Sequence, residues 1–413
     1  MTYQDALNYV YSLERFGIMP GLERVRLLCE ALGNPQEQLQ FIHVAGTNGK
    51  GSACTMMSEV LRAAGKRVGL YTSPYVLDFR ERMQVNGAMI PREDICRLTR
   101  RLREIPIEAT EFEFITAMAF AWFAEQNCDI VVLEVGLGGR YDATNIISQP
   151  LCSVIMKIAM DHTQVLGDTI EEIAAEKCGI IKPGCPVITT CEQPPEALRV
   201  IEETARRHGC ELHVPAHSEC EIVESTIFGT RAILADIPAW VPLIGPHMCR
   251  NALTVVRAAQ VLGIPVKAIQ QGIERVKMPA RMEILSNEPL VILDGGHNPD
   301  GARALAAALM ELLPAQRFTA VCGMMADKNI AEFLQALRPV VGEWITCRPQ
   351  NARAMPAEEL AALARVSGQK ATAAGSVQDA LQLLAQMGLP AKDGAVLICG
   401  SFYLAGEVRG YFT

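Results

Sequence analysis

Phe41-Ile42-His43-Val44-Ala45-Gly46-Thr47-Asn48-Gly49-Lys50-Gly51-Ser52 is the stretch whose reading decides the fold. Five mostly apolar residues run straight into a glycine-rich turn, and a helix-forming stretch, 52–64, ends at Gly65. That strand–loop–helix order suits a phosphate cradle. Glycines let backbone N–H groups converge on an anion, and a helix N-terminus adds positive potential. Lys50 would neutralise phosphate charge and Ser52 would offer its hydroxyl to Mg2+. The stretch departs twice from the standard pattern, which wants Gly at the position of Val44 and a hydroxyl residue directly after Lys50. Here Gly51 displaces that hydroxyl by one. A plain glycine-rich turn is the competing reading; the lysine, the hydroxyl and the flanking elements weigh against it.

Outward from this stretch, apolar runs bounded by turns alternate with helix-period segments, the mark of an α/β chain with a mainly parallel sheet. Residues 129–135, 151–158 and 186–191 are predicted strands, and 169–180 and 195–208 predicted helices. Residues 211–241 are β-rich with short alternations and predict a small antiparallel excursion. Helices over 249–262 and 266–275 follow. The alternation restarts near residue 280, with strands at 290–294, 318–322, 343–347 and 395–399 and helices at 299–313, 330–340, 356–364 and 377–387. At 413 residues the chain exceeds the size at which one core stops growing. Two domains are therefore expected, 1–280 and a smaller Rossmann-like 281–413, with a ligand cleft between them.

The formal net charge of -8 argues against a nucleic-acid partner but not against small anions. The N-terminus lacks the layout of a signal peptide, and no apolar run is long enough to span a bilayer. The 14 cysteines contain no Cys-x-x-Cys, and most sit in apolar runs, as Cys322 and Cys399 do. That usage fits free core thiols in a reducing compartment, so a cytoplasmic protein without a membrane partner is expected.

Further candidate residues stand at predicted strand ends, where parallel sheets bind ligands. Glu134 is followed by the turn 135–145, with Asp142, Ala143 and Asn145. Its carboxylate is the kind of ligand hard cations prefer. Asp161-His162 follows the next strand, and Glu176-Lys177 comes after it. In the second domain, Asp294-Gly295-Gly296-His297 closes a strand and opens a helix. Taken alone, Glu134 reads rather as a structural strand-end acid, His162 as a packed or surface residue, Lys177 as a solvated one, and residues 294–297 as an ordinary turn.

Together and in order, the segments resemble the folylpolyglutamate synthase/dihydrofolate synthase family, a branch of the Mur ligase superfamily. His43 to Ser52 is similar to the family's loop, including its Gly51-Ser52 ending. Thr72-Ser73-Pro74 with Glu81-Arg82 and Asn86-Gly87 resembles a second motif. Residues 134–145, Asp161-His162 with Glu176-Lys177, Asn251-Ala252, Arg281-Met282-Glu283, 294–299 and 400–409 continue the match along nearly the whole chain. The resemblance implies a P-loop Mur-ligase-like central ATPase domain plus a smaller Rossmann-like C-terminal domain. It implies an ATP-dependent ligase that joins L-glutamate to dihydropteroate or a reduced folate through an acyl phosphate.

By the same resemblance, Gly46, Thr47, Asn48, Gly49, Lys50, Gly51 and Ser52 with Asn251, Arg281, Asp294 and His297 bind ATP. Two Mg2+ sites are implied, with Ser52, Ser73 and Glu134 at the first and His162 at the second. Lys177 resembles the family's carbamylated (N6-carboxylated) lysine, whose anionic form can help hold metal. Lys50, Lys177, His162 and Arg281 are the implied catalytic residues. Arg82, Phe112, Asp142 and Ala143 fall on positions of the dihydropteroate pocket. A monomer is expected. Four positions depart from the family: Tyr75 for His, Met248 for Gln, Ala280 for Gly and Gly296 for Ala. The alternatives are another Mur-type amino-acid ligase or a non-catalytic nucleotide- or folate-binding protein. A cell-wall ligase usually carries an N-terminal UDP-sugar domain, and only residues 1–45 precede the loop.

Overall fold

Burial dictates the first sheet. Phe41–Ala45 (β1) and Ile130–Glu134 (β5) are buried along their whole length, as strands covered on both faces must be. They pair in parallel, Val44 opposite Glu134, and β1 pairs on its other side with Cys152–Ile155 (β6). Val68–Tyr71 (β2) lies parallel to β5, and Met83–Val85 (β3) with Ala88–Met89 (β4) adds an antiparallel edge. Val187–Thr189 (β7) and Leu212–His213 (β8) extend the other side, giving the order β4-β3-β2-β5-β1-β6-β7-β8. Chain order thus runs to one side of β1 through β2 and to the other through β6. Such a reversal opens a crevice at the strands' carboxyl ends. The computed structural model describes residues 1–13, 21–389 and 394–412.

Helix Lys50–Ala63 packs over this sheet and leans on helix Val266–Glu274. The crossing is close because of Gly272: a Cβ there would lie 2.3 Å from Val60 Cα. Helix Glu111–Glu125 buries eleven consecutive residues, Glu113 to Phe123, the signature of a helix surrounded by core. It starts at a capping box in which Thr110 accepts from Glu113 N and Glu113 bonds back. Cys220–Thr226 (β9), Gly229–Leu234 (β10) and Ile237–Val241 (β11) form a three-stranded sheet where the sequence predicted a β excursion.

The second sheet comprises Glu283–Asn287 (β12), Leu290–Asp294 (β13), Phe318–Cys322 (β14), Val341–Thr346 (β15), Lys370–Ala373 (β16) and Ala395–Cys399 (β17). Its order is β12-β13-β17-β14-β15-β16, parallel except for the β12–β13 pair. The chain divides into two compact units. Unit 1 is Met1–Glu221, Ala232–Trp240 and Cys249–Val276; unit 2 is Ile222–Arg231, Val241–Met248 and Lys277–Thr413. The sequence boundary at 280 falls close to the last of these divisions. Segments 222–231 and 241–248, read from sequence as part of the first domain, cluster instead with the second unit. Among the described residues, no helix is long and apolar enough to cross a membrane.

Candidate active site

At the carboxyl end of β1 the chain enters Gly46 with φ 150, so close to Met156 that a Cβ would meet its Cβ at 2.7 Å. Only glycine fits there. Gly49 then takes a left-handed conformation, φ 85, and the helix begins at Lys50. The Thr47 and Asn48 N–H groups both donate to Lys157 O, at 2.9 and 3.1 Å, and Thr47 Oγ1 donates to Ala159 O. These bonds pin the loop to the segment after β6. That leaves the first turn of the helix, whose leading N–H groups have no intrahelical partner, as the part of the loop able to receive an anion. Lys50 Nζ donates to Gly46 O at 3.1 Å, and Lys177 Nζ donates to the same carbonyl at 3.0 Å. Burial, then the Lys50 charge, lowers the Lys177 pKa to about 7.

Ser52 and Glu134 are 2% and 3% exposed. The Glu134 carboxylate stands over the loop helix: a Cβ on Gly51 would lie 3.6 Å from its Oε2. Ser73 N donates to that same Oε2 at 3.0 Å. A buried hydroxyl and a buried carboxylate are oxygen donors of the kind Mg2+ uses, and Mg2+ normally keeps water and phosphate oxygens as well. Among the described residues, no three His, Cys, Asp or Glu side chains converge as a metal cage. His162 precedes the short helix Thr163–Leu166 with φ 51, and its side chain is 38% exposed beside Asp161.

A second cluster in unit 1 joins Arg82, Phe112, Asp142 and Ala143. The Phe112 ring lies on Gly136, where a Cβ would come within 2.5 Å of Cζ, and its centroid is 6.0 Å from that of Tyr71. Burial raises the Tyr71 pKa, and the Arg82 and Asp142 charges both reach its hydroxyl. Asp142 accepts from Leu137 N at 2.9 Å and from Thr144 N at 3.0 Å. Ala143 is buried in the 3-10 turn Ala143–Ile146 that Asp142 caps. Burial raises the Asp142 pKa against the pull of these donors. The Arg82 guanidinium stacks on Tyr75 at 5.3 Å and on Phe79 at 5.9 Å, and Tyr75 and Tyr11 share a 3.0 Å hydroxyl hydrogen bond.

His43 is the residue that sequence reading passed over. It is fully buried in β1, with Nε2 2.8 Å from Thr144 Oγ1. The available signal was an imidazole inside an otherwise apolar strand. Burial, and then the Lys182 charge, lowers its pKa from 6.5 to about 3. The unfolded chain binds this proton from pH 6.5 downward and the folded one only near pH 3. Stability is therefore lost as pH falls through that window, by roughly 3 kcal/mol at pH 4. The thermal-midpoint gap between wild type and His43→Gln should shrink from pH 7 to pH 4. A constant gap would show that the imidazole is charged inside the fold.

In unit 2, Arg281 stacks on the Phe402 ring at 4.7 Å, and His297 meets the same ring edge-on at 6.1 Å. Asp294 accepts from Met282 N and Gly296 N at 3.0 and 2.7 Å, and His297 Nδ1 lies 3.3 Å from Gly295 O. Asn251 is in unit 1, against the loop: a Cβ on Gly49 would lie 2.8 Å from its Oδ1.

Residues 44–259 match the Mur ligase middle domain, and residues 280–402 the Mur ligase glutamate ligase domain. The chain is 35% identical to a dihydrofolate synthase/folylpolyglutamate synthase of Bacillus subtilis, with 98% of each chain covered. The chain belongs to the dihydrofolate synthase/folylpolyglutamate synthase family of Mur ligases. The Mycobacterium tuberculosis folylpolyglutamate synthase complexed with ADP superposes with a TM-score of 0.89 at 30% identity, covering 98% of each chain. Escherichia coli FolC in complex with DHPP and ADP gives a TM-score of 0.85 at 32% identity, covering 98% of this chain and 97% of that one. Two departures from the pattern of this dihydrofolate synthase/folylpolyglutamate synthase family acquire physical meaning. Ala280 has φ 54, the left-handed region that favours the family's usual glycine. At Gly296 a Cβ would press on Asp294 Oδ1 at 2.6 Å, so the glycine leaves that carboxylate room to accept the Gly296 N–H. Met248 is buried.

Proposed function

We propose that this ATP-dependent ligase joins L-glutamate to dihydropteroate, to a folyl(poly)glutamate, or to both. The observation that carries the reading is the meeting of Lys50 and Lys177 at the Gly46 carbonyl, at the head of the loop helix. Lys50 brings positive charge to where a polyphosphate would be cradled, near the oxygen donors Ser52 and Glu134, and Lys177 brings to the same carbonyl a side chain that can carry a carbamate. The acid's carboxylate oxygen attacks the γ-phosphorus of ATP, the bond to ADP breaks, and an acyl phosphate forms. The glutamate amine attacks the acyl carbon, the bond to phosphate breaks, and the amine proton is released. Carboxylate oxygen is a poor leaving group and phosphate a good one, so activation is what ATP contributes. Transfer of this kind depends on positioning and charge stabilisation.

Lys50 neutralises phosphate charge, and residues 46–52 with Asn251 orient the nucleotide. Arg281, Asp294 and His297 of the second unit are assigned to the nucleotide's phosphates and ribose. Ser52, Ser73 and Glu134 would hold one Mg2+, and His162 with Lys177 a second; bound cations offset charge on the transferring phosphoryl group. Lys177 suits this only as its carbamate, since an ammonium repels a cation. Its lowered pKa leaves part of the amine neutral near pH 7, able to add to CO2 with loss of a proton. Phe112 stacks the pterin, Asp142 and Ala143 meet its amino-pyrimidine edge, and Arg82 meets the acid. ADP in one relative, and DHPP with ADP in another, support the same small-molecule set.

The test is phosphate release with ATP, Mg2+, dihydropteroate and L-glutamate, each omitted in turn, with the amide product identified by mass. Release should require all four, and 13CO2 should give a carbamate resonance that Lys177→Met removes. No turnover with dihydropteroate or any reduced folate sinks the reading. Nucleotide binding without turnover would favour a binding protein instead. Comparing dihydropteroate with mono- and diglutamylated tetrahydrofolates separates the two ligase activities.

A further inference from the structure

Behind the phosphate loop, two buried polar groups that the proposed reaction leaves unassigned, His43 and Thr144, lead to Asp142. Thr144 Oγ1 donates to Asp142 Oδ1 at 2.5 Å. A hydroxyl has one proton, so Thr144 accepts from its other partner, His43 Nε2, 2.8 Å away. The imidazole therefore carries its proton on Nε2, and its buried Nδ1 has no hydrogen-bond partner among the described residues. Asp142 receives a backbone N–H on each oxygen, Thr144 N on Oδ1 and Leu137 N on Oδ2. The carboxylate is thus held from both sides, and the His43–Thr144 arm reaches it from β1. A valine or leucine at position 43 would fill a core strand without burying an unsatisfied nitrogen. Something other than packing has to justify the imidazole.

We propose that His43 is a positioning residue for the acid substrate: through the Thr144 hydroxyl it fixes the Asp142 carboxylate and ties the acid pocket to the strand that carries the phosphate loop. The loop begins at Gly46, three residues after His43 and directly past the end of its strand. Asp142 sits in the turn whose Gly136 backs the Phe112 ring. A rigid link between strand and turn sets where the acid's recognition groups stand relative to the phosphate loop. In-line attack depends on such placement, and a misplacement of about 1 Å can cost a hundredfold in rate. This inference rests on the assignment of Phe112 and Asp142 to the acid substrate made above.

The experiment uses the full chain and measures kcat, KM for dihydropteroate, KM for ATP and the thermal midpoint. The variants are His43→Leu, His43→Gln, Thr144→Val, Thr144→Ser and the His43→Leu/Thr144→Val double. Glutamine keeps a donor near the Nε2 position and serine keeps the hydroxyl. His43→Leu and Thr144→Val should each raise KM for dihydropteroate about tenfold, with KM for ATP within about twofold. His43→Gln and Thr144→Ser should keep the acid KM within about threefold of wild type, a rescue that packing alone does not produce. The double variant should match the worse single one, since both break one chain. Thr144→Val is nearly isosteric, so it decides the matter if His43→Leu fails to fold. An unchanged acid KM in Thr144→Val overturns the inference, as does a parallel rise in both KM values. Wild type without acid-dependent turnover defeats the ligase reading and this inference together; normal wild-type turnover with an unaffected Thr144→Val variant defeats only this one.

Discussion

Lys50→Met is expected to lower kcat by roughly a hundred- to a thousandfold, the loss typical of removing one charge-stabilising donor at a transition state. The expectation follows from where Nζ stands. It bonds Gly46 O at 3.1 Å and Thr47 O at 3.4 Å, at the mouth of the helix proposed to cradle phosphate. Those bonds close its own loop, and the ammonium they hold adds charge at the cradle. Methionine keeps the length of the stem and deletes the charge. Loss of the Lys50 charge also relieves Lys177, so its pKa should move back upward. Phosphate release at saturating substrates measures the first effect, and nucleotide titration calorimetry separates binding from chemistry. A loss under tenfold would place the phosphate-stabilising charge elsewhere. The thermal midpoint should barely move, because the side chain is partly exposed.

Gly272→Ala should produce the largest loss of stability. The new Cβ would lie 2.3 Å from Val60 Cα, 2.5 Å from Val60 N and 2.8 Å from Glu59 C. All three are backbone atoms of helix Lys50–Ala63, so no side chain can swing aside. The two helices must part, at a cost of about 3 kcal/mol. A chain of this size should then lose roughly 3–4 °C in thermal midpoint. The displaced helix is the one that begins at Lys50, so nucleotide affinity should fall with stability although residue 272 belongs to no ligand site. Differential scanning calorimetry with and without ATP checks both. A fall under about 2 °C would mean the helix pair opens at less than the expected cost.

The sequence made β1 legible because five buried residues meet a glycine turn, and its bounds are those predicted. The loop helix was expected from residue 52 and begins at Lys50, since Gly49 supplies the left-handed turn that starts it. Short, mostly apolar runs bounded by turns, such as 290–294 and 318–322, were equally plain. Between the loop helix and β5 no secondary structure was assigned. Val68–Tyr71 is four residues long, too short for a period to emerge, and Glu111–Glu125 is apolar on every side, so it shows no amphipathic stripe. Candidate site residues were read partly as strand-end motifs, which are local, and otherwise only from the family resemblance. The hydrogen bond between His43 and Thr144 spans 101 residues of sequence, and only the fold brings those side chains together. Ala280 could be noted as unusual from the motif, but the strain it bears needed a backbone angle.

None of the 14 cysteines forms a disulfide, and ten of them are buried. Burial pushes the thiols of Cys152, Cys178 and Cys347 up to about 12, so each stays protonated and shielded while its surroundings hold. The first two belong to one compact unit and Cys347 to the other. An alkylating reagent reaches them only when that unit opens, and the chain thereby carries its own clocks. Timed modification in rising denaturant, read peptide by peptide, would report which half loosens first and whether a bound nucleotide steadies one or both.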